Sequence, residues 1–458
     1  MTKRRDFLKL AGLGAVGASL FPLLGKTAPA TAPFDSAHGK HPLENKAVKR
    51  PNIIFILADD LGFETLGCYG GVNYKGLGPV KTPHLDALAQ GGMLFKYCFA
   101  CPVCSPARSE VLTGKYNFRT GFHDIAGRSG ATTSLDTRAH PTVAMQLKAA
   151  GYVTAIVGKW HLGPPESMQE IPTTAAADTD YPHPRECGFD HQCILGGAHL
   201  VRYGAPKQGE YTPERMQAWT LRFLASRKGQ AEPFFLYYAS PIPHDPLLPT
   251  PLNPDMPQAK GKAGNLKNFP YLVQYLDQQV GELLKKLDEL GLRESTLVMF
   301  SGDNGTRGVV TEMRDGREVH GGKGSLLDTG SRVPLLANWP GVIRAGTSYE
   351  GLVDFSDIAP TCLELAGAQA LEKLDGVSFA PQLRGEPGQP RAWVHTLFNV
   401  WYFVRDARWK LRETGNLYDV SHAPYEEKLI APANDTPESK AARARLGAVM
   451  RQLHPQKS

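Results

Sequence analysis

The chain has 458 residues, 42% of them hydrophobic and 21% charged, with a formal net charge of +6. That length suits one large α/β domain with an appendage, or about two to three domains. The positive charge is spread thinly, and no basic block is dense enough to indicate a nucleic-acid partner.

The N-terminus reads as an address rather than as part of the fold. Lys3-Arg4-Arg5-Asp6-Phe7-Leu8-Lys9 is a twin-arginine n-region, followed by the Gly/Ala-rich segment LAGLGAVGASLFPLLG. Small residues at Ala28-Pro29-Ala30 and Ala30-Thr31-Ala32 offer cleavage points. The apolar segment is shorter than the roughly 20 residues a spanning helix needs, and no other run approaches that length. The expectation is a bacterial protein exported through the Tat machinery to the periplasm or the exterior, without a membrane span. Residues 1–32 would be the signal peptide and 33–48 a linker.

From Pro51 onward, strand, loop and helix alternate. Asn52–Ala58 (NIIFILA) is a continuous apolar run, as expected of a strand buried on both faces, and it ends in Asp59-Asp60. Thr82–Gly91 reads as a helix, and MLFKYCFA as a strand leading to Cys104-Ser105-Pro106-Ala107-Arg108. Pro141–Ala150 is a predicted helix, and Tyr152–Val157 a strand ending in Gly158-Lys159-Trp160-His161. Residues 164–212, rich in Pro, Thr, Asp and Gly, read as surface excursions. Pro213–Arg227 is a predicted helix, and Pro233–Ala239 a strand ending at Pro241-Ile242-Pro243-His244. After a loop over 245–268 come a long helix, Tyr271–Leu290, and a strand, Ser295–Phe300, which ends in Ser301-Gly302-Asp303-Asn304-Gly305. Beyond Gly367, Leu374–Arg384, Ala392–Val404 and Arg408–Arg412 read as strands and turns of a smaller antiparallel element, closed by a basic helix over Ser439–Leu453.

This order predicts an α/β protein with a large, mainly parallel sheet flanked by helices over 49–370. A smaller α+β subdomain containing an antiparallel sheet would occupy 371–458. In parallel sheets ligands bind beyond the carboxyl ends of the strands. Asp59, Asp60, Lys159, His161, His244, Asp303 and Asn304 all fall there.

Ser105 and Pro106 suit the N-cap and first position of a helix running through SEVLTG. Cys104 would then precede the positive end of that helix, with Arg108 about one turn in, an arrangement suited to a nucleophile facing an oxyanion. Of the seven cysteines, Cys98, Cys101 and Cys104 have C-x-x-C-x-x-C spacing but no matching Cys/His pair nearby, which disfavours zinc or iron–sulfur chemistry. Cys187 and Cys193 form a plausible local disulfide in an oxidising compartment. Asp59-Asp60 alone reads as a loop start. Joined by Asp303-Asn304 it becomes an all-oxygen set suited to a hard cation, Ca2+ or Mg2+.

These motifs together resemble the type I, formylglycine-dependent sulfatases of the alkaline-phosphatase-like superfamily. Cys104–Arg108 matches the C-x-P-x-R core and Leu112-Thr113-Gly114 its continuation, while Gly158-Lys159-Trp160-His161-Leu162-Gly163 matches the second signature. NIIFILADDLG, PHDP, SGDNG, GGKG and RVPLLANWPG follow in the family's order, then DFSDIAPTCLELAG and Asn416-Leu417-Tyr418-Asp419. Lys115 stands where the family commonly has arginine, and Asp328 where it often has glutamate.

The resemblance implies that a separate formylglycine-generating enzyme oxidises Cys104 to an aldehyde, whose hydrate, a gem-diol, attacks the sulfur of a sulfate ester. Asp59, Asp60, Asp303 and Asn304 would hold Ca2+, or Mg2+, with the modified Cys104 as a further ligand. Arg108 and Lys159 would orient the diol, His161 would assist its collapse, and His244 and Lys323 would serve the sulfate and the leaving oxygen. Aryl sulfates are generic substrates of such enzymes, but sulfated carbohydrates suit an exported one better. Arg202, Tyr203, Trp401 and Arg405 are candidate sugar contacts at the pocket rim. Two other functions share these features: hydrolysis of phosphonate monoesters or phosphodiesters, and non-catalytic binding of sulfated glycans.

Overall fold

Asn52–Ala58 forms β1 at the middle of an eight-stranded sheet and is buried along its whole length. Its side chains alternate: Ile53, Phe55 and Leu57 enter one apolar layer, Ile54, Ile56 and Ala58 the other. This is the period-two consequence of a pleated strand covered on both faces. Fully burying each of the larger side chains stabilises the fold by about 1.5–3 kcal/mol.

The other strands are β2 (Met93–Phe99), β3 (Val153–Gly158), β4 (His191–Ile194), β5 (Phe234–Ala239), β6 (Thr296–Gly302), β7 (Arg332–Asn338) and β8 (Thr347–Asp354). Across the sheet they lie in the order β8-β2-β7-β6-β1-β5-β3-β4. β7 runs antiparallel to β2 and β6, and every other pairing is parallel. The carboxyl ends of β1, β2, β3, β5 and β6 therefore share one edge. Helices Pro83–Gln90, Thr212–Ser226 and Phe269–Leu290 cover one face, and Cys104–Thr113, Val143–Ala149 and Ile358–Ala366 the other.

The computed structural model describes residues 50–71, 73–163, 180–194, 211–256 and 264–454. The signal peptide and linker, Arg202, Tyr203 and most of the 164–212 excursion lie outside the described residues. No helix among the described residues is long and apolar enough to cross a membrane.

The C-terminal region is a five-stranded antiparallel sheet of Val394–Phe398, Trp401–Arg405, Trp409–Arg412, Leu417–Asp419 and Lys428–Ile430, paired in that order. Helix Pro437–Leu453 begins at a Thr436–Ser439 capping box and packs Ala442 and Leu446 against Val404, Leu411 and Leu417.

Several details depart from the sequence reading. Within the predicted excursion, His191–Ile194 is an edge strand of the main sheet. A small sheet of Asn73–Tyr74, Gly78–Pro79, Thr311–Arg314 and Arg317–His320 also forms, joined by the pairing of Tyr74 with Glu312. So remote a partner leaves no local pattern. Leu374–Arg384 is no strand, but a turn and a short helix, Ala380–Leu383, initiated by Pro381. Cys187 and Cys193 are both free thiols. They enter opposite apolar layers of the main sheet, which keeps them from bonding.

Candidate functional site

Five strand ends deliver the candidate residues to one edge. Asp59 and Asp60 follow β1, and Asp303 and Asn304 follow β6, where the amide of Asp303 donates to the carbonyl of Ala58 at 2.8 Å. Glycines permit this closeness: a Cβ at Gly302 would lie 1.8 Å from the carbonyl oxygen of Leu61. Lys159 and His161 follow β3, with the Lys159 amide donating to Ala239 at 3.0 Å, and His244 follows β5. Asp60 and His161 both adopt the left-handed backbone region, at φ 65° and 60°. Non-glycine residues enter that region at a cost, and such strain concentrates at functional sites.

Cys104 comes from β2 by way of helix Cys104–Thr113. The helix starts two residues earlier than its sequence suggests. Val103 is the N-cap and Cys104 the first helical residue. The Ser105 hydroxyl is used elsewhere, accepting from the amide of Ala126 at 3.1 Å. Pro106 is accommodated in the first turn, where its missing N–H would have no intrahelical acceptor. Cys104 thus sits at the positive end of the helix rather than before it, and Arg108 is one turn along.

The side chains converge. Cys104 Sγ lies 3.4 Å from Asp59 Oδ1 and 3.8 Å from Lys323 Nζ. Lys159 donates to Asp59 Oδ2 and Lys323 to Asp60 Oδ2, each at 2.7 Å. Arg108 grips Asp303 Oδ2 through Nη2 at 2.8 Å and Nε at 3.1 Å, and its Nη1 donates to the Lys159 carbonyl at 3.1 Å. The Asp60 amide donates to Asp303 Oδ1 at 3.0 Å, and His244 Nε2 lies 3.7 Å from Asp60 Oδ2. Asn304 donates through Nδ2 to Asp60 Oδ1 at 2.9 Å. His161 is buried at the same strand end, two residues beyond Lys159.

Burial alone would raise the pKa of Asp59 and Asp60, yet both are held below the ordinary value. Lys159, His244, Arg108 and Lys323 act on Asp59, and Lys323 and His244 chiefly on Asp60. Asp303 goes the other way, to about 6, because burial and its neighbour Asp59 outweigh Arg108 and Lys159. Burial also pushes the Cys104 thiol up to about 12, despite Lys159 and Lys323. At neutral pH this thiol is protonated, and only the thiolate is a good nucleophile.

A hard cation fits these residues. Asp59, Asp60, Cys104 and His244 each offer a ligand atom, and these atoms all lie within 4.8 Å of one another. The Asn304 Oδ1 acceptor is buried with no hydrogen-bond partner among the described residues, a costly state that a cation would relieve. Asp303, expected among the ligands, is not in that group: its Oδ1 accepts from the Asp60 amide and its Oδ2 holds Arg108.

Other expectations are corrected. Arg405 does not face a pocket rim: it is 1% exposed and ion-paired with Asp328. The two departures from the family pattern also lie away from the ligand cluster. Lys115 reaches toward the Ala139 carbonyl at 3.5 Å, and Asp328 is engaged with Arg405. Trp401 is 48% exposed. The sequence reading overlooked Thr306, which is fully buried. Its Oγ1 accepts from the Gly62 amide at 2.9 Å and its carbonyl from the Lys323 amide at 2.9 Å, so it ties three site loops together. Its position directly after Asp303-Asn304-Gly305 was the available signal.

Comparison with known proteins agrees with this geometry. Residues 51–368 match the family described as Sulfatase, and residues 322–453 match N-sulphoglucosamine sulphohydrolase, C-terminal. Arylsulfatase A of Bos taurus is 34% identical over 386 residues, covering 77% of this chain and 71% of that protein. An ulvan-active sulfatase of Formosa agariphila is 29% identical over 398 residues, covering 81% and 67%. The solved structure of Ps i-CgsB in complex with k-i-k-neocarrahexaose has a TM-score of 0.68 at 25% identity, covering 89% of this chain and 93% of that one. The chain belongs to the sulfatase family, and it is an enzyme that hydrolyses sulfate esters.

Proposed function

We propose that this enzyme removes sulfate from carbohydrates through a formylglycine made from Cys104, with Ca2+ held by Asp59, Asp60, Asp303 and Asn304. The observation that carries the reading is the gathering of Asp59, Asp60, Cys104 and His244 ligand atoms within 4.8 Å, together with an Asn304 Oδ1 that has no hydrogen-bond partner among the described residues. The protonated thiol adds support, since a buried Cys104 with its pKa near 12 is a poor nucleophile as it stands. The carbohydrate preference draws on the likeness to the ulvan-active sulfatase and to the neocarrahexaose complex.

Cys104 Sγ marks where a side-chain oxygen would lie after oxidation. Ca2+ would supply charge neutralisation for a sulfate oxygen, and formylglycine a hydroxyl pair, one for attack and one for release of sulfate. The chain's own residues do the rest. Arg108 and Lys159 flank the nucleophile and offset negative charge as it develops, in a buried setting where such donors are effective. His161, fixed by its left-handed backbone, would hydrogen-bond the nucleophile and take its second proton. Lys323 and His244, the more exposed of the charged groups around Asp60, would donate to the leaving ester oxygen. The twin-arginine leader supports Tat export to the periplasm or exterior, with maturation of Cys104 by a formylglycine-generating enzyme.

Mass spectrometry of the peptide containing Cys104, from a host able to mature sulfatases, tests the reading directly. Loss of the thiol with the mass of an aldehyde or its hydrate is the expected result. An unmodified thiol throughout would remove the nucleophile and leave a glycan-binding role. Parallel assay on a sulfated sugar and a phosphonate monoester separates the two ester chemistries, with the sulfate ester preferred.

A further inference from the structure

We propose that the C-terminal antiparallel sheet positions Lys323, with Arg405, Lys410 and Glu427 clamping the loop that carries it. The inference rests on the reading above that Lys323 serves the leaving oxygen.

The loop Gly322–Asp328 is held from two sides. On the site side, the Lys323 amide donates to the Thr306 carbonyl and the Gly324 amide to the Pro102 carbonyl, each at 2.9 Å. Those bonds fix its first half to the segments carrying Asp303 and Cys104. The second half belongs to the C-terminal sheet. Lys410 Nζ donates to the Leu326 carbonyl at 2.9 Å, and the Asp328 amide donates to Glu427 Oε1 at 2.8 Å. Arg405 pairs with Asp328 Oδ1, and Lys410 pairs in turn with Glu427. The Leu326 side chain packs in one apolar cluster with Val103, the residue before Cys104, and with Phe398 and Phe403 of the sheet. The Arg405 guanidinium lies 4.6 Å from the centroid of Phe99, the last residue of β2.

Stability alone is a weak reason for this network. Arg405 and Lys410 are each 1% exposed, and apolar residues of similar volume commonly serve a buried site as well or better. Lys410 and Glu427 do what apolar groups cannot, which is to bind a backbone carbonyl and a backbone amide of one loop at fixed points, while Arg405 holds the Asp328 side chain. Lys323 lies three residues before Leu326, so a loop released at Leu326 and Asp328 would let its Nζ drift from Asp60 and Cys104. A misplacement of about 1 Å can cost on the order of 10²-fold in rate.

The test measures kcat across sulfate esters whose leaving alcohols range from an acidic phenol to a sugar hydroxyl. A positioning role predicts a selective loss with poor leaving groups, which need the proton most; a purely structural role lowers all substrates alike. K323A sets the limiting behaviour, a loss of about 10²-fold or more with the sugar sulfate and far less with the acidic phenol. K410M, and the milder E427Q should K410M fold poorly, are expected to lose roughly tenfold with the sugar sulfate in the same selective manner, within the range a small displacement commands. Selective loss in K323A but uniform loss, or none, in both K410M and E427Q overturns the proposal. A uniform response in K323A itself overturns the leaving-group reading and this proposal with it.

Discussion

At the carboxyl edge of the main sheet, Asp59, Asp60 and Asp303 share buried space with Arg108 and Lys159 and pair with the half-buried Lys323. Beside the C-terminal sheet, Asp328 and Glu427 do the same with Arg405 and Lys410. Both regions bring opposite charges together out of water, and they differ in what else is left unsettled. At the sheet edge two of the described residues, Asp60 and His161, hold left-handed backbone. Beside the C-terminal sheet the four paired residues have ordinary backbone, and three of them also bind the loop backbone or stack on a ring. Left-handed backbone marks the region built for chemistry, and backbone-tied pairs mark the one built for placement.

The sharpest way to break this contrast is to remove one group from each region. Cys104→Ala is expected to abolish turnover, with a loss of roughly 10³-fold or more and an unchanged unfolding midpoint in urea. A variant of comparable activity would place the nucleophile elsewhere. In the other region, Arg405→Ala should cost about 3 kcal/mol of stability, the lower end for breaking a buried pair, because the Asp328 carboxylate keeps the longer contact to Arg332 Nη1 at 3.8 Å. Urea unfolding checks this, and a cost below about 1 kcal/mol, the value of an exposed pair, would mean the pair is not buried in solution.

Metal removal separates the regions again. Chelation is expected to suppress activity, and added Ca2+ to restore it, while Asn304→Ala should weaken Ca2+ binding in calorimetry. A fully active, metal-stripped enzyme would end the ligand assignment for Asp59, Asp60, Asp303 and Asn304.

The smallest expected effect concerns pH. His395, buried in the C-terminal sheet with its Nε2 3.0 Å from that of His454, is held well below 6.5 by burial and by its histidine neighbour. Below pH 6.5 the unfolded chain takes up a proton that the folded one refuses, so stability falls as pH drops from there. His395→Gln should flatten that decline in unfolding experiments run at a series of pH values. An identical pH profile would show that His395 does not contribute.

The fold was legible wherever a segment carries its own period. The apolar run at Asn52–Ala58 and the helical spacing of Tyr271–Leu290 announce a central strand and a covering helix, and both form there. Short strands such as His191–Ile194 and Asn73–Tyr74 were missed, because they gain their stability from partners distant in the chain. The candidate site was visible as residues following strand ends, since parallel strands send such residues to one edge. Arg405 shows the limit of that reading: its charge suggested a sugar contact, and only its buried pairing with Asp328 shows otherwise.

By itself, then, the sequence determined the alternation of strands and helices, the family, and the set of residues that meet at the sheet edge. Local periodicity and motif order are written along the chain, so no neighbour is needed to read them. The tertiary structure alone decided the reversed direction of β7, the separation of Cys187 from Cys193 and the helix start at Cys104. It also decided the clamp of the C-terminal sheet on the Lys323 loop. Each of these depends on which distant surfaces bury one another, and burial between remote segments leaves no periodic trace in the chain.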